Sequence, residues 1–147
     1  MKLGHHIGFS VIVSAGLYVM TKSWTMSSAC LISGIFIDMD HVLDYIIIYR
    51  WPFSIKRFFH VFYHELQFKQ IYLVLHGWEW LTLLFTAAWI TGWNPLLTGI
   101  LCGSGHHMIL DCINNGGNLW SYSLIWRWRN NFDFKTTFPR FIQQRNK

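Results

Sequence analysis

Four apolar runs divide the chain, and polar residues collect near one end of each. The first is HHIGFSVIVSAGLYVM, about residues 5–20, which can span a bilayer only if its helix starts near Lys2. The second, about 26–49, is broken by the acidic motif IDMDHVLD. The third, about 71–93, reads IYLVLHGWEWLTLLFTAAWITGW. As one helix it would be ~35 Å long, enough to cross a membrane. The fourth, about 95–113, opens on Pro95, a favoured first helical residue, and ends before Gly116 and Gly117. Its small residues suit close helix approach. Between the second and third runs, about 50–70, RWPFSIKRFFHVFYHELQFKQ has the amphipathic, aromatic character of a helix lying at a membrane surface. The tail, about 118–147, mixes Trp, Arg and Phe. Without repeats, low-complexity tracts or linkers, residues 1–147 read as one domain. The pattern predicts an all-α, polytopic membrane bundle of about four transmembrane or membrane-embedded helices plus interfacial helices. The less favoured alternative is a small helical domain with a greasy surface.

Composition strengthens the membrane reading. Of 147 residues, 52% are hydrophobic, and 9 Trp, 12 Phe and 6 Tyr are present. Charged residues make up 13%, against ~25% in ordinary soluble domains. The net charge of +5 alone would admit nucleic acid as a partner. Yet no nucleic-acid-binding motif accompanies it, and basic residues in an apolar chain more often set membrane orientation. With both termini cytoplasmic, Lys22 is the only basic residue on the far side. That bias predicts a multi-pass membrane protein with both termini cytoplasmic. Cys30, Cys102 and Cys112 fit neither a disulfide framework nor a CxxC site, and read as small buried hydrophobes. A lipid-attachment reading of Cys30 fails on Ser27, where leucine is usual, and would discard His5 and His6.

The ionisable residues carry the candidate chemistry. Asp38, Asp40, Asp44, Glu79 and Asp111 lie inside apolar runs, where such groups are functional candidates. In the predicted topology they share one level with His5, His6, His41, His76, His106 and His107. His107 and Asp111 are i,i+4; His76 and Glu79 are i,i+3, as are Asp38 with His41 and His41 with Asp44. Imidazole and carboxylate ligands suit a divalent metal, Zn²⁺, Mn²⁺ or Fe²⁺, which would cancel charges that low dielectric otherwise keeps apart. The number of ligands leaves room for two ions. Simpler readings stand beside this one. The aspartates could pair with Arg50, Lys56 or Arg57. His5 could be an exposed terminal residue. His60, His64 and Glu65 read first as surface groups of the interfacial stretch, and Asn114 and Asn115 as helix-ending residues.

These motifs resemble those of the inner-membrane metal-dependent hydrolases of the LexA-regulated, YdjM-like type, which share motif logic with zinc-dependent phospholipases C. IDMDH (Ile37 to His41) resembles the family's acidic PDIDH motif, HMILD (His107 to Asp111) its late HxxxD, His6 its N-terminal histidine, and His76 its central histidine. Ile37 replaces the family's proline, and LHGWEWL departs from the central HRGxTHS wording. Taken with the spacing, the resemblance implies metal-assisted hydrolysis of a membrane lipid or lipid-linked substrate, most plausibly a phosphoester. It implies His6, Asp38, His41, His76, His107 and Asp111 as metal ligands, Zn²⁺ first among the ions. Asp40 or Glu79 would be a general base or would orient a histidine. Asp44 is a weaker candidate, and Lys56, Arg57 and the basic tail would hold anionic head groups. The competing class is a non-catalytic membrane subunit with a structural metal or ion-pair cluster; a metal carrier ranks third. Ligands in excess of one closed shell favour an enzyme, and a closed four-ligand site a structural ion.

Overall fold

The computed structural model describes residues 3–50, 53–61, 69–115 and 117–139, and shows helices joined by short turns. Among these residues the only strand-like feature is an isolated antiparallel bridge between Gln70 and Asp133. The order is α1 (Leu3–Thr21), α2 (Trp24–Phe36), α3 (Met39–Tyr49), α4 (Ile55–His60), α5 (Trp78–Ile90), α6 (Pro95–Asn114), a 3-10 helix (Leu119–Tyr122), α7 (Leu124–Arg129) and α8 (Phe134–Thr137).

Local chemistry sets the helix starts. The Ser23 hydroxyl accepts from the Met26 amide to begin α2. Asn94 accepts from the Leu96 and Leu97 amides, with Pro95 at the first helical position of α6. Ser54 caps α4, Ser123 caps α7 and Asp133 caps α8. The amide of Thr136 holds the Asp133 carboxyl below the ordinary carboxylate range.

Helices α1, α2, α5 and α6 form two antiparallel hairpins that close at Lys22 and at Thr91–Asn94. The tightest packing is α2 on α6, with α1 and α5 on either side. Glycine permits it. A methyl group at Gly99 would run into the Met26 carbonyl, and one at Gly103 into the Cys30 carbonyl and Ser33 Oγ. Small and polar groups fill the bundle interior: Ser10, Ser14, Ser27, Ala29 and Cys30 are buried. Ser14 donates to the Ser27 carbonyl and Ser27 to the Ser14 carbonyl, at 2.6 and 2.8 Å. Large apolar side chains point outward, among them Ile12, Val19, Leu83, Ile90 and Ile109.

Among the described residues an ordinary apolar core lies at the other end, where Ile37, Tyr45, Ile71, Leu73, Met108, Tyr122 and Phe138 pack together.

Two predicted segments differ from expectation. The run 26–49 is two helices, broken at Ile37–Asp38, and the run 71–93 is helical only from Trp78. Helix α5 has 13 residues and α2 has 13. Each is ~20 Å long, short of a ~30 Å hydrocarbon layer. Among the described residues, only α6, with 20 residues, is long and apolar enough to cross a membrane. The three cysteines are free thiols, with Cys30 buried.

Candidate metal centre

The hairpin topology brings the start of α1, the end of α2, the residues before α5 and the end of α6 to one end of the bundle. There Asp38, His76, His107 and Asp111 each direct one ligand atom at a common centre. Asp38 Oδ1 lies 3.2 Å from His107 Nε2 and 3.6 Å from His76 Nε2. Asp111 Oδ2 lies 3.3 Å from His76 Nε2 and 3.5 Å from His107 Nε2. The two Nε2 atoms are 3.4 Å apart. Ligands held at about 2.0–2.2 Å from a tetrahedral ion stand about 3.3–3.6 Å from one another. Five edges of the group match that figure.

The tautomers, assigned from their partners, strengthen the fit. His107 Nδ1 faces the Gly34 carbonyl at 2.7 Å. A carbonyl only accepts, so Nδ1 holds the proton and Nε2 turns its lone pair to the centre. His76 Nδ1 faces Asp40 Oδ2 at 2.9 Å, with the same result. Protonating both rings would set two N–H groups head to head at 3.4 Å. A cation between them removes that conflict, and the donor set suits a divalent ion.

The remaining predicted residues take other places. His6 is buried while His5 is exposed, so His6 is the inward-facing one. It does not join the four ligand atoms: its Nε2 stands 3.0 Å from Asp111 Oδ1, and its ring stacks on His107 at 4.1 Å. His6, expected as a direct ligand, stands beside Asp111, one of the four converging residues, and is not itself among them. His41 Nε2 lies 3.6 Å from Asp38 Oδ1, and the side chains of both are partly exposed, 26% and 20%. They form the open edge of the site. Asp40, His41 and His76 make a second, smaller group of ligand type. His106 sits apart, with Nδ1 toward the Cys102 carbonyl and Nε2 toward Ser10 Oγ. His60 is exposed at the end of α4, and His64 and Glu65 lie outside the described residues.

Asp40 was expected as a general base or as a residue that orients a histidine, and its contacts fit the second role rather than the first. Both hydrogen bonds of its Oδ2, from His76 Nδ1 and from the Leu75 amide at 2.9 Å, orient His76. Glu79 was the other candidate base. Its carboxylate accepts from the Ser123 hydroxyl and the amides of Leu124 and Ile125, capping α7. The i,i+3 argument for His76 with Glu79 fails because the helix begins after His76, at Trp78. Asp38, Asp40 and Asp44 meet histidines and loop amides rather than Arg50, Lys56 or Arg57. Lys56 and Arg57 are exposed on α4.

Residues 71–77 owe their non-helical path to long-range partners. Asp44 accepts from the Tyr72 and Leu73 amides at 3.2 Å. Arg127, fully buried, donates Nη2 to the Leu73 and His76 carbonyls at 2.9 and 2.8 Å. Leu73 thus has its N–H held by a carboxylate and its C=O by a guanidinium, and it adopts φ 46. That left-handed conformation is unfavourable for leucine and needs such fixing. Burial pushes the Arg127 pKa down, and Asp40, Asp44 and Glu79 nearby oppose the shift. Burial also pushes the Tyr122 hydroxyl up. Sequence reasoning missed Arg127. Arg127, one of two arginines alternating with tryptophans in LIWRWR, resembles any surface anchor.

No protein-family model, curated protein or solved structure matches this chain.

Proposed function

We propose that the protein is a membrane-embedded, metal-dependent hydrolase acting on a lipid or lipid-linked phosphoester. The carrying observation is the set of four ligand atoms at tetrahedral spacing, with Asp38 and His41 leaving one edge open. Asp38, His76, His107 and Asp111 would hold the ion, and Zn²⁺ suits the two-imidazole, two-carboxylate set best. When bound, the ion supplies Lewis acidity, polarising the scissile group and acidifying nearby water. Asp40 keeps His76 in the required tautomer, and His6 steadies Asp111. In the reaction, water adds to phosphorus, the P–O bond to the leaving group breaks, and the water proton passes to the leaving oxygen. His41, at the open edge beside Asp38, is placed to move that proton.

The membrane part of the proposal rests on the inverted bundle, with serine and glycine inside and large aliphatic residues outside. Helices α1, α2, α5 and α6 would be the embedded elements, with the metal end near the cytoplasmic surface of a bacterial inner membrane and both termini cytoplasmic. Purified in detergent and dialysed, the protein should retain a divalent ion and release phosphate or a phosphorylated head group from lipid extracts. Absence of bound metal would sink the proposal.

A second reading has its own support. Four converging ligand atoms form a complete tetrahedral set, as in a structural site. A metal-loaded protein that turns over no lipid, and unfolds when the metal is removed, would favour it.

A further inference from the structure

An apolar cleft of about 340 Å³ runs between α2, α5 and α6. Phe36, Ile37, Leu75, Trp80, Leu84 and Ile100 are among its walls. We propose that this cleft takes the hydrocarbon tail of a lipid with a phosphate head group, the head group resting at the metal cluster. The inference rests on the hydrolase reading and names the substrate class for it.

Position is the first argument. Ile37 adjoins Asp38 and Leu75 adjoins His76, so two wall residues are chain neighbours of two ligands. Ser104, also in the wall, lies one helical turn before His107. One end of the cleft therefore meets the backbone that carries three of the four ligands. From there it follows α6 down to Ile100, about 10 Å below His107 at ~1.5 Å per residue.

Chemistry is the second argument. The wall carries no charged group, and the Ser33 hydroxyl is turned to the Cys30 and Ile100 carbonyls at 3.3 Å. A sugar or peptide would find few partners in such a lining, and a hydrocarbon chain needs none. The volume falls in the ~300–1,000 Å³ range of small-ligand sites. At the open edge, a phosphate would meet the cation that Asp38 helps to hold.

A third argument is mechanical. Trp80 donates its indole N–H to the Val74 carbonyl at 2.7 Å. That bond ties a wall of the cleft to the loop that presents His76, so tail and head-group sites are built on the same segment.

The test is photo-crosslinking of the full chain in alkyl-maltoside micelles, with phosphatidic acid bearing a diazirine in its acyl chain. Adducts should concentrate on Leu84 and Ile100, and unlabelled phosphatidic acid should compete them away. Ile100→Trp, which fills the cleft from α6, should abolish them while metal content stays at the native level. Leu84→Trp fills it from α5 and should do the same if the first variant folds poorly. Equal labelling of the outward-facing Ile12, Leu83 and Ile109 would reduce the cleft to ordinary lipid contact and overturn the proposal. Equal labelling by a diazirine diacylglycerol, which carries no phosphate, would overturn the head-group assignment. Cleft adducts in a protein that hydrolyses no lipid phosphoester would support the cleft and count against the hydrolase reading alone.

Discussion

The bundle and the metal end of this molecule bury opposite things. In the bundle, serines, glycines and small residues face inward and branched aliphatics face out. At the metal end, aromatic and aliphatic side chains form a core, and buried charges hold a loop through its backbone. The two ends also place ligands differently. Asp111 and His107 sit on one helix, whose repeat and glycine-tight packing fix their direction. His76 sits on a loop, and three charged side chains from α3 and α7 hold that loop. A helix satisfies its own backbone and needs only a packing partner. A buried loop must borrow partners from elsewhere, and here they are ionic.

The largest effect should come from His107→Ala or His76→Ala. Each should abolish bound divalent metal on metal analysis after dialysis. Full retention in one of the two would show that helix and loop ligands do not share an ion. Next comes Arg127→Met, which keeps the bulk and removes the clamp. Leaving the buried Leu73 and His76 carbonyls without their donor should cost about 1–3 kcal/mol each. Hydrogen exchange should accelerate at residues 71–77 while α1, α2 and α6 stay protected; uniform acceleration would merge the two regions into one cooperative unit. Asp40→Asn is milder, and metal affinity in a chelator titration should fall about 10–100-fold, the usual effect of losing a ligand's orienting partner. Metal affinity should also fall as pH drops through the histidine range, since the ligands must be unprotonated to bind. The smallest effect belongs to the bundle. Ser14→Ala should cost about 1 kcal/mol, the usual net contribution of one hydrogen bond.

The parts of the structure that depend on periodicity were legible in the sequence. Pro95 and the apolar run behind it mark α6, and the i,i+4 spacing of His107 and Asp111 puts both on one face. Asp38 and His76 could be matched to them because each lies at the same end of its run. The break at Ile37–Asp38 was not legible, since IFIDMDHVL carries no proline or glycine to announce it. The loop at 71–77 was hidden more deeply. IYLVLHG is apolar enough to read as helix, and what prevents helix there is a claim on its amides by Asp44 and Asp40, 28 and 35 residues away in the chain. Glu79 misled for a related reason. It sits near His76 in sequence, yet its carboxylate serves an α7 that only the tertiary fold brings alongside. Gly77 was the one local hint, a common helix-starting residue directly after the histidine.

Arg127 also imposes an order in time. Its partner carbonyl on His76 is 51 residues earlier in the chain. At ~5–20 residues per second, His76 is made roughly 3–10 s before the arginine that secures its loop, and Asp111, the last ligand in the chain, roughly 1–3 s before it. During synthesis the three other ligands can gather as soon as α6 is in place, but the fourth has no fixed direction until the tail folds back. A chain released before Leu124 would carry every metal ligand and still hold only three of them in position. Helix α7, made after every ligand, thus acts as the latch on a site to which it contributes no ligand.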